Sequence, residues 1–226
     1  MPDRLPPATA PVLPPPILAR CVDVLARAAP LRITVFGSST TQGVGASSAE
    51  AGFPSVMRRA MRPALAGRVP EIMLSNRGIG GDNAIDLHRR LDGVIADAPD
   101  LVLFQTGSND PLQQVPLAYF EHLTAEDLDR LKRETGADIV LIDQQLCRVL
   151  EECPAFPGFL AGLHRVGRQA GVPVFPRYRS MHAWCEATGM DRDTLSPDGL
   201  HMGDRGYALL GNALSSWLLD GLAGGA

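Results

Sequence analysis

A serine, a histidine and an aspartate, far apart along the chain, carry the chemistry this sequence can perform. Ser39 lies in ITVFGSSTTQGVG (33–45), just past the apolar run Ile33-Thr34-Val35-Phe36 and a single glycine, Gly37. Strand, tight glycine turn, serine and then helix is how α/β enzymes present a nucleophile at the carboxyl end of a strand. Gly37 permits the sharp turn. A serine hydroxyl is a poor nucleophile until a base takes its proton. His201 is the candidate base, because imidazole titrates near neutral pH. Asp198 stands three residues before it. In a turn entering a helix, that spacing brings the carboxylate to Nδ1, where it fixes the tautomer and stabilises the imidazolium.

Charge developing on an attacked carbonyl oxygen needs donors. The backbone N–H of Ser39, a backbone N–H of Gly81 and the side-chain amide of Asn109 are the candidates. Each such donor is typically worth about 3 kcal/mol of barrier. Glycine at 81 lets its N–H approach a substrate without a side chain in the way, and asparagine at 109 donates without carrying charge.

Elements that could hold these groups follow from the pattern of apolar residues. Apolar runs predict strands at 31–36, 69–75, 101–106, 138–142 and 172–175. Helical spacing predicts helices at 17–29, 53–65, 84–96, 117–135, 159–170, 177–187 and 203–219. Strands alternating with helices imply an α/β fold with a parallel sheet covered on both faces. The expected architecture is a flavodoxin-like three-layer α/β/α sandwich, five strands in the order 2-1-3-4-5. That order sets the loops after the first three strands side by side.

Composition bounds the rest. The chain has 226 residues, 45% hydrophobic and 20% charged, enough to bury a full core in one domain. A net charge of -4 and 5% aromatics give no basis for a nucleic-acid surface. Cys21, Cys147, Cys153 and Cys185 form no CxxC pair and no zinc-like cluster. They read as inert thiols, with a Cys147–Cys153 disulfide open as an alternative. No apolar run approaches the ~20 residues of a bilayer span. Residues 1–16 are proline-rich and read as a disordered or polyproline arm, and residues 17–226 as the domain. The compartment stays open between cytoplasm and, after removal of a signal segment, periplasm or secretion, as does the oligomeric state.

Four blocks in order carry a resemblance: Gly37-Ser38-Ser39-Thr40-Thr41-Gln42-Gly43, Gly78-Ile79-Gly80-Gly81-Asp82, Gly107-Ser108-Asn109-Asp110 and Asp198-Gly199-Leu200-His201. Together they resemble the SGNH or GDSL-type serine hydrolases, acyl esterases and lipases, over about residues 32–219. The resemblance implies hydrolysis of short acyl esters through an acyl-serine, without metal or organic cofactor, in a shallow and open site. It puts the glycine-block donor on Gly81, with Gly80 as the alternative. One departure stands out: Ser38 occupies the position where the nucleophile block usually has a loop-bracing aspartate. A serine hydroxyl can cap such a turn.

The remaining polar residues read mostly as structural. Arg58, Arg59 and Arg62 form a solvated helix face, and His88, His122, His164 and His182 are surface or structural. Asp82 reads as a helix N-cap and Asp110 as a brace of its own loop. Asp143-Gln144-Gln145, at the end of the fourth strand, fits either a structural or a substrate-facing role. Met181, His182 and Trp184 fit a helix packing stripe or a pocket wall. Two functional classes follow. One is a serine esterase for small soluble or carbohydrate esters, since no long apolar lid segment is evident. The other is a catalytically silent binding module that keeps the fold.

Overall fold

The protein is described by a computed structural model over residues 13–224. Five apolar segments form one parallel sheet: β1 (Leu31–Gly37), β2 (Ile72–Gly78), β3 (Leu101–Gln105), β4 (Asp138–Ile142) and β5 (Val174–Phe175). Their order is β2-β1-β3-β4-β5, the expected one. The register pairs Val35 with Asn76 on one side and Leu103 on the other, and Leu103 with Val140.

Every residue of β3 is buried, because helices cover both faces of the sheet. Alternate side chains of a strand point to opposite faces. Leu101 and Leu103 join Ile33, Val35, Val140 and Ile142 in one core. It is closed by α1 (Ala19–Ala26), α3 (Phe53–Leu65), α9 (Arg177–Thr188) and α11 (Asp204–Ala223), through Cys21, Met57, Trp184, Leu210 and Leu214. Val102 and Phe104 join Phe36, Ile139 and Leu141 in the other. It is closed by α4 (Ala84–Arg89), α5 (Leu91–Ala96), α6 (Leu117–Thr135) and α8 (Phe156–Ala170), through Leu87, Val94, Phe120, Leu128 and Leu163. Each fully buried aliphatic side chain contributes about 1.5–3 kcal/mol over exposure.

Three short helices lie outside the expected set: α2 (Ser39–Gln42), α7 (Arg148–Glu151) and α10 (Arg192–Leu195). Two further differences matter for the site. Strand β2 begins at Ile72 and runs to Gly78, three residues later than the apolar pattern predicts. Val69 instead makes an isolated bridge to Ala66, and Pro70 has no N–H for a ladder. The expected helix 84–96 is two helices broken at Arg90, which has φ −112 and ψ 14. Its guanidinium turns back to donate to Asp82 Oδ2 (2.5 Å), Arg77 O (2.6 Å) and Gly37 O (2.7 Å). Asp82 is therefore an ion-pair partner and not the helix N-cap. Asn83 caps α4, accepting from Ile85 N and Asp86 N while Asp86 accepts from Asn83 N.

Residues 1–12 of the proline-rich arm lie outside the described residues. Its last part packs on α11, where Trp217 Nε1 donates to Pro14 O (2.8 Å). The four cysteines are free thiols, so Cys147 and Cys153 are not joined. Among the described residues no helix is long and apolar enough to cross a membrane.

Candidate active site

The nucleophile loop is shaped by what surrounds Gly37. A Cβ there would meet Gln105 O at 2.7 Å, so only glycine fits where β1 turns into α2. Ser39 opens α2 and is 7% exposed. Its N–H belongs to the first turn, where helix donors have no intrahelical acceptor. Ser38 N (2.9 Å), Ser38 Oγ (3.2 Å) and Thr41 Oγ1 (3.2 Å) all donate to Gln105 Oε1. A fully buried amide at the end of β3 thus holds the loop that an aspartate usually braces in the resembling family. Nothing in the sequence motif marked Gln105. A glutamine at the end of an apolar strand reads as a simple strand terminus.

The glycine loop is pinned against this helix. Asn76 Nδ2 donates to Thr41 O (2.8 Å), and a Cβ on Gly78 would fall on the Gln42 amide nitrogen. Gly80 N–H donates to Gln42 Oε1 (2.7 Å), and a Cβ on Gly80 would lie 3.8 Å from Ser39 Cβ. The Gly80 N–H is already engaged, which leaves the Gly81 N–H as the candidate donor of this loop. Gly81 has φ 87, a backbone that L side chains resist. Gln113 Nε2 donates to Gly81 O (2.8 Å) and Asn109 Nδ2 to Asp82 O (2.7 Å). Asn109 is thereby fastened beside Gly81. A primary amide has two N–H donors, so its second remains for a ligand. Asp110 reaches beyond its own loop: Oδ1 accepts from Ala84 N (2.9 Å), fixing the start of α4. Burial pushes its carboxyl up to about 6.

Asp198 and His201 meet directly. His201 Nδ1 lies 2.7 Å from Asp198 Oδ2, while Asp198 Oδ1 accepts from Leu200 N (2.8 Å) and His201 N (2.6 Å). The carboxylate is thus oriented by two backbone donors before it meets the ring. Partial burial pushes the Asp198 carboxyl up, but the His201 backbone and ring donors and the Leu200 N–H outweigh it. The result lies below the usual carboxylate value.

The hydrogen bonds and contacts that connect Ser39 with His201 run through their loops. A Cβ on Gly45 would lie 2.5 Å from Met202 O and 3.3 Å from His201 Cβ, so the segment leaving α2 abuts the histidine loop. Tyr207 Oη donates to Val44 O (2.6 Å). Ser47 N (2.7 Å) and Ser47 Oγ (2.6 Å) donate to Asp204, at the start of α11. Chemically, the arrangement offers a hydroxyl at a helix start, a carboxylate-oriented imidazole on a loop packed against the segment leaving that helix, and uncharged N–H donors on the Gly81 and Asn109 loops. Among the described residues no group of three His, Cys, Asp or Glu side chains could hold a metal ion.

The other candidates lie apart from the Asp198–His201 pair in their own hydrogen bonds and packing. Asp143, Gln144 and Gln145 are buried. Asp143 Oδ2 lies 2.8 Å from His164 Nε2, and Oδ1 accepts from Tyr178 N (2.9 Å). Met181 and Trp184 sit in the core, while His182 is exposed 3.9 Å from Glu151. His88 pairs with buried Asp127 (2.7 Å), whose carboxyl burial pushes up to about 6, and His122 lies 3.8 Å from Glu126.

A five-stranded parallel sheet in this order, with three of the blocks at the carboxyl ends of β1, β2 and β3 and the fourth on the loop before α11, defines an SGNH/GDSL-type hydrolase. The model of the Non-GDSL lipase-like family matches residues 6–224, and the chain belongs to that family. It is placed thereby among the carboxylic ester hydrolases. No curated protein matches the sequence. Among solved structures, the lipase/acylhydrolase from Enterococcus faecalis is similar, at 26% identity and TM-score 0.66 over 82% of this chain and 94% of that one. TesA is similar in fold at 21% identity and TM-score 0.67, over 84% of this chain and 99% of that one. A two-domain esterase (CEX) active on acetylated mannans matches 92% of this chain at 20% identity and TM-score 0.75. This chain spans only 54% of that protein's length.

Proposed function

We propose that the protein is a serine esterase that hydrolyses short-chain, acetyl-type esters through an acyl-serine intermediate. Nucleophile, base and charge-stabilising donors are all supplied by the chain, so the reading calls for no metal or organic cofactor. Ser39 Oγ attacks the ester carbonyl carbon while His201 Nε2 takes the hydroxyl proton. Asp198 accepts from Nδ1 and stabilises the imidazolium. The N–H groups of Ser39 and Gly81 and the free N–H of Asn109 receive the oxyanion. Collapse breaks the bond to the alcohol, which leaves with the proton from His201. Water then attacks the acyl-serine, His201 takes a water proton and returns it to Ser39, and the acid departs.

The observation that carries this reading is the 2.7 Å Asp198–His201 bond, on a loop packed against Gly45, close to the serine helix. For the substrate, carbohydrate O-acetyl esters are favoured over insoluble lipids, since among the described residues no helix is a long apolar segment of the kind that would shield a lipid. The fold likeness to an esterase active on acetylated mannans points the same way. The competing reading, a silent binding module, rests on Ser38 in place of the usual aspartate; the three donors on Gln105 Oε1 favour the esterase, because they brace the loop without that aspartate.

Hydrolysis of p-nitrophenyl acetate and butyrate by the wild type and by Ser39→Ala tests the mechanism. Wild-type turnover with an inactive variant is expected, and equal rates would reject it. Acetate release from acetylated mannan or xylan fragments, compared with short lipid esters, tests the substrate class.

A further inference from the structure

A buried arginine links the three loops of the candidate site. Arg177, at the start of α9, is fully buried, and its guanidinium makes three hydrogen bonds of distinct direction. Nε donates to Asp143 O (2.8 Å), Nη1 to Thr40 Oγ1 (3.1 Å) and Nη2 to Gln145 Oε1 (2.7 Å). Thr40 follows Ser39 in α2. Gln145 Oε1 also accepts from Ser108 Oγ (2.9 Å), next to Asn109, and Gln145 Nε2 donates to Leu200 O (3.3 Å), next to His201. Thr40, Ser108 and Gln145 are themselves buried.

A buried cation is costly, and an apolar side chain of similar volume is often no less stable. Burial draws the Arg177 guanidinium down to about 10, so it still carries its charge at neutral pH. Its planar fork fixes directions in a way that a lysine ammonium does not. Those directions lead to the neighbours of Ser39, Asn109 and His201. These are loops from distant parts of the chain, whose relative placement decides whether proton transfer can occur.

We propose that Arg177 is a positioning residue for ester hydrolysis. Through Thr40 and Gln145 it fixes the nucleophile helix, the Asn109 loop and the His201 loop relative to one another. The inference rests on the reading of Ser39 and His201 as the reacting pair. Two near-isosteric variants cut the network without touching that pair. Thr40→Val removes the Nη1 acceptor. Gln145→Glu keeps the acceptor for Arg177 and Ser108 but turns an oxygen toward Leu200 O.

The experiment measures kcat and KM on p-nitrophenyl acetate, well below each variant's melting temperature, for both singles, their double and Arg177→Met. Each single is expected to lose about tenfold in kcat with KM within about twofold. The double is expected to fall well short of the hundredfold product, near Arg177→Met, because Thr40 and Gln145 are links of one network centred on Arg177. Folded singles with kcat within about twofold of wild type would overturn the proposal. So would losses that multiply independently, or losses that appear in KM. Ser39→Ala run alongside separates the two failures. If it is inactive while the singles match wild type, positioning alone is wrong. If it is as active as wild type, the catalytic reading itself falls.

Discussion

Replacing Asp198 by asparagine is expected to damage the enzyme more than replacing it by alanine, and the hydrogen bonds give the reason. Asp198 Oδ1 holds two backbone donors, Leu200 N at 2.8 Å and His201 N at 2.6 Å. An asparagine keeps those bonds with its carbonyl oxygen. Its NH2 group then occupies the place of Oδ2, 2.7 Å from His201 Nδ1. A donor facing Nδ1 selects the tautomer with the proton on Nε2, which cannot accept one from Ser39. Enforcing the wrong tautomer costs on the order of 10⁴-fold in kcat where triads have been dissected. Alanine leaves the ring free to take either tautomer. The Asp198 side chain is 56% exposed, so water can occupy the vacated position. The loss is then one charge-assisted hydrogen bond, about 1.5–3 kcal/mol, or roughly ten- to a hundredfold. Steady-state kinetics on p-nitrophenyl acetate for the three proteins reads the order directly. An alanine variant equal to or worse than the asparagine variant would refute the tautomer reasoning, as would an asparagine variant with a tenth or more of wild-type kcat.

Three further outcomes follow. Asn109→Ala removes a proposed oxyanion donor and the tether to Asp82 O, and should lower kcat about 10²–10³-fold with little change in KM, measured on the same ester. Asp110 has its carboxyl raised from 3.8 to about 6, so its contribution to stability is full below pH 3.8 and is lost as pH rises through about 6. Asp110→Asn should therefore flatten the pH dependence of urea unfolding between about pH 4 and 6, by up to about 3 kcal/mol relative to wild type; parallel curves would contradict this. Gly78→Ala drives a Cβ onto the Gln42 backbone nitrogen and should cost about 1–3 kcal/mol, seen as a lower melting temperature.

Much of this architecture could be read before any coordinates. The interior strands were legible because burial on both faces makes them continuous apolar runs, and β4 falls at the expected residues 138–142. Helices 53–65 and 117–135 likewise coincide with α3 and α6. The edge strand β2 was misplaced because one side of it faces solvent, with Met73 45% exposed and Arg77 in an ion pair with Asp97. Its apolar signal is therefore weak, and the preceding Val69-Pro70 drew the boundary early. The break at Arg90 was invisible because its cause lies in long-range bonds to Gly37 and Asp82. At the candidate site, the spacing of Asp198 and His201 announced their bond. Of the neutral or buried groups behind them, Gln145 stands out only as part of a polar strand end, and Gln105 and Arg177 give no signal. Each looks like an ordinary strand end or helix start until folding brings its partners from 32 to 137 residues away.

Whether the hydroxyl at position 39 becomes acylated is the question beneath all of this. The direct measurement is reaction with a fluorophosphonate ester, followed by mass mapping of the adduct in wild type and in Ser39→Ala. A single adduct on Ser39, formed with loss of esterase activity and absent from the variant, is the expected result. An adduct on another residue, or unimpaired hydrolysis after complete modification of Ser39, would contradict the account.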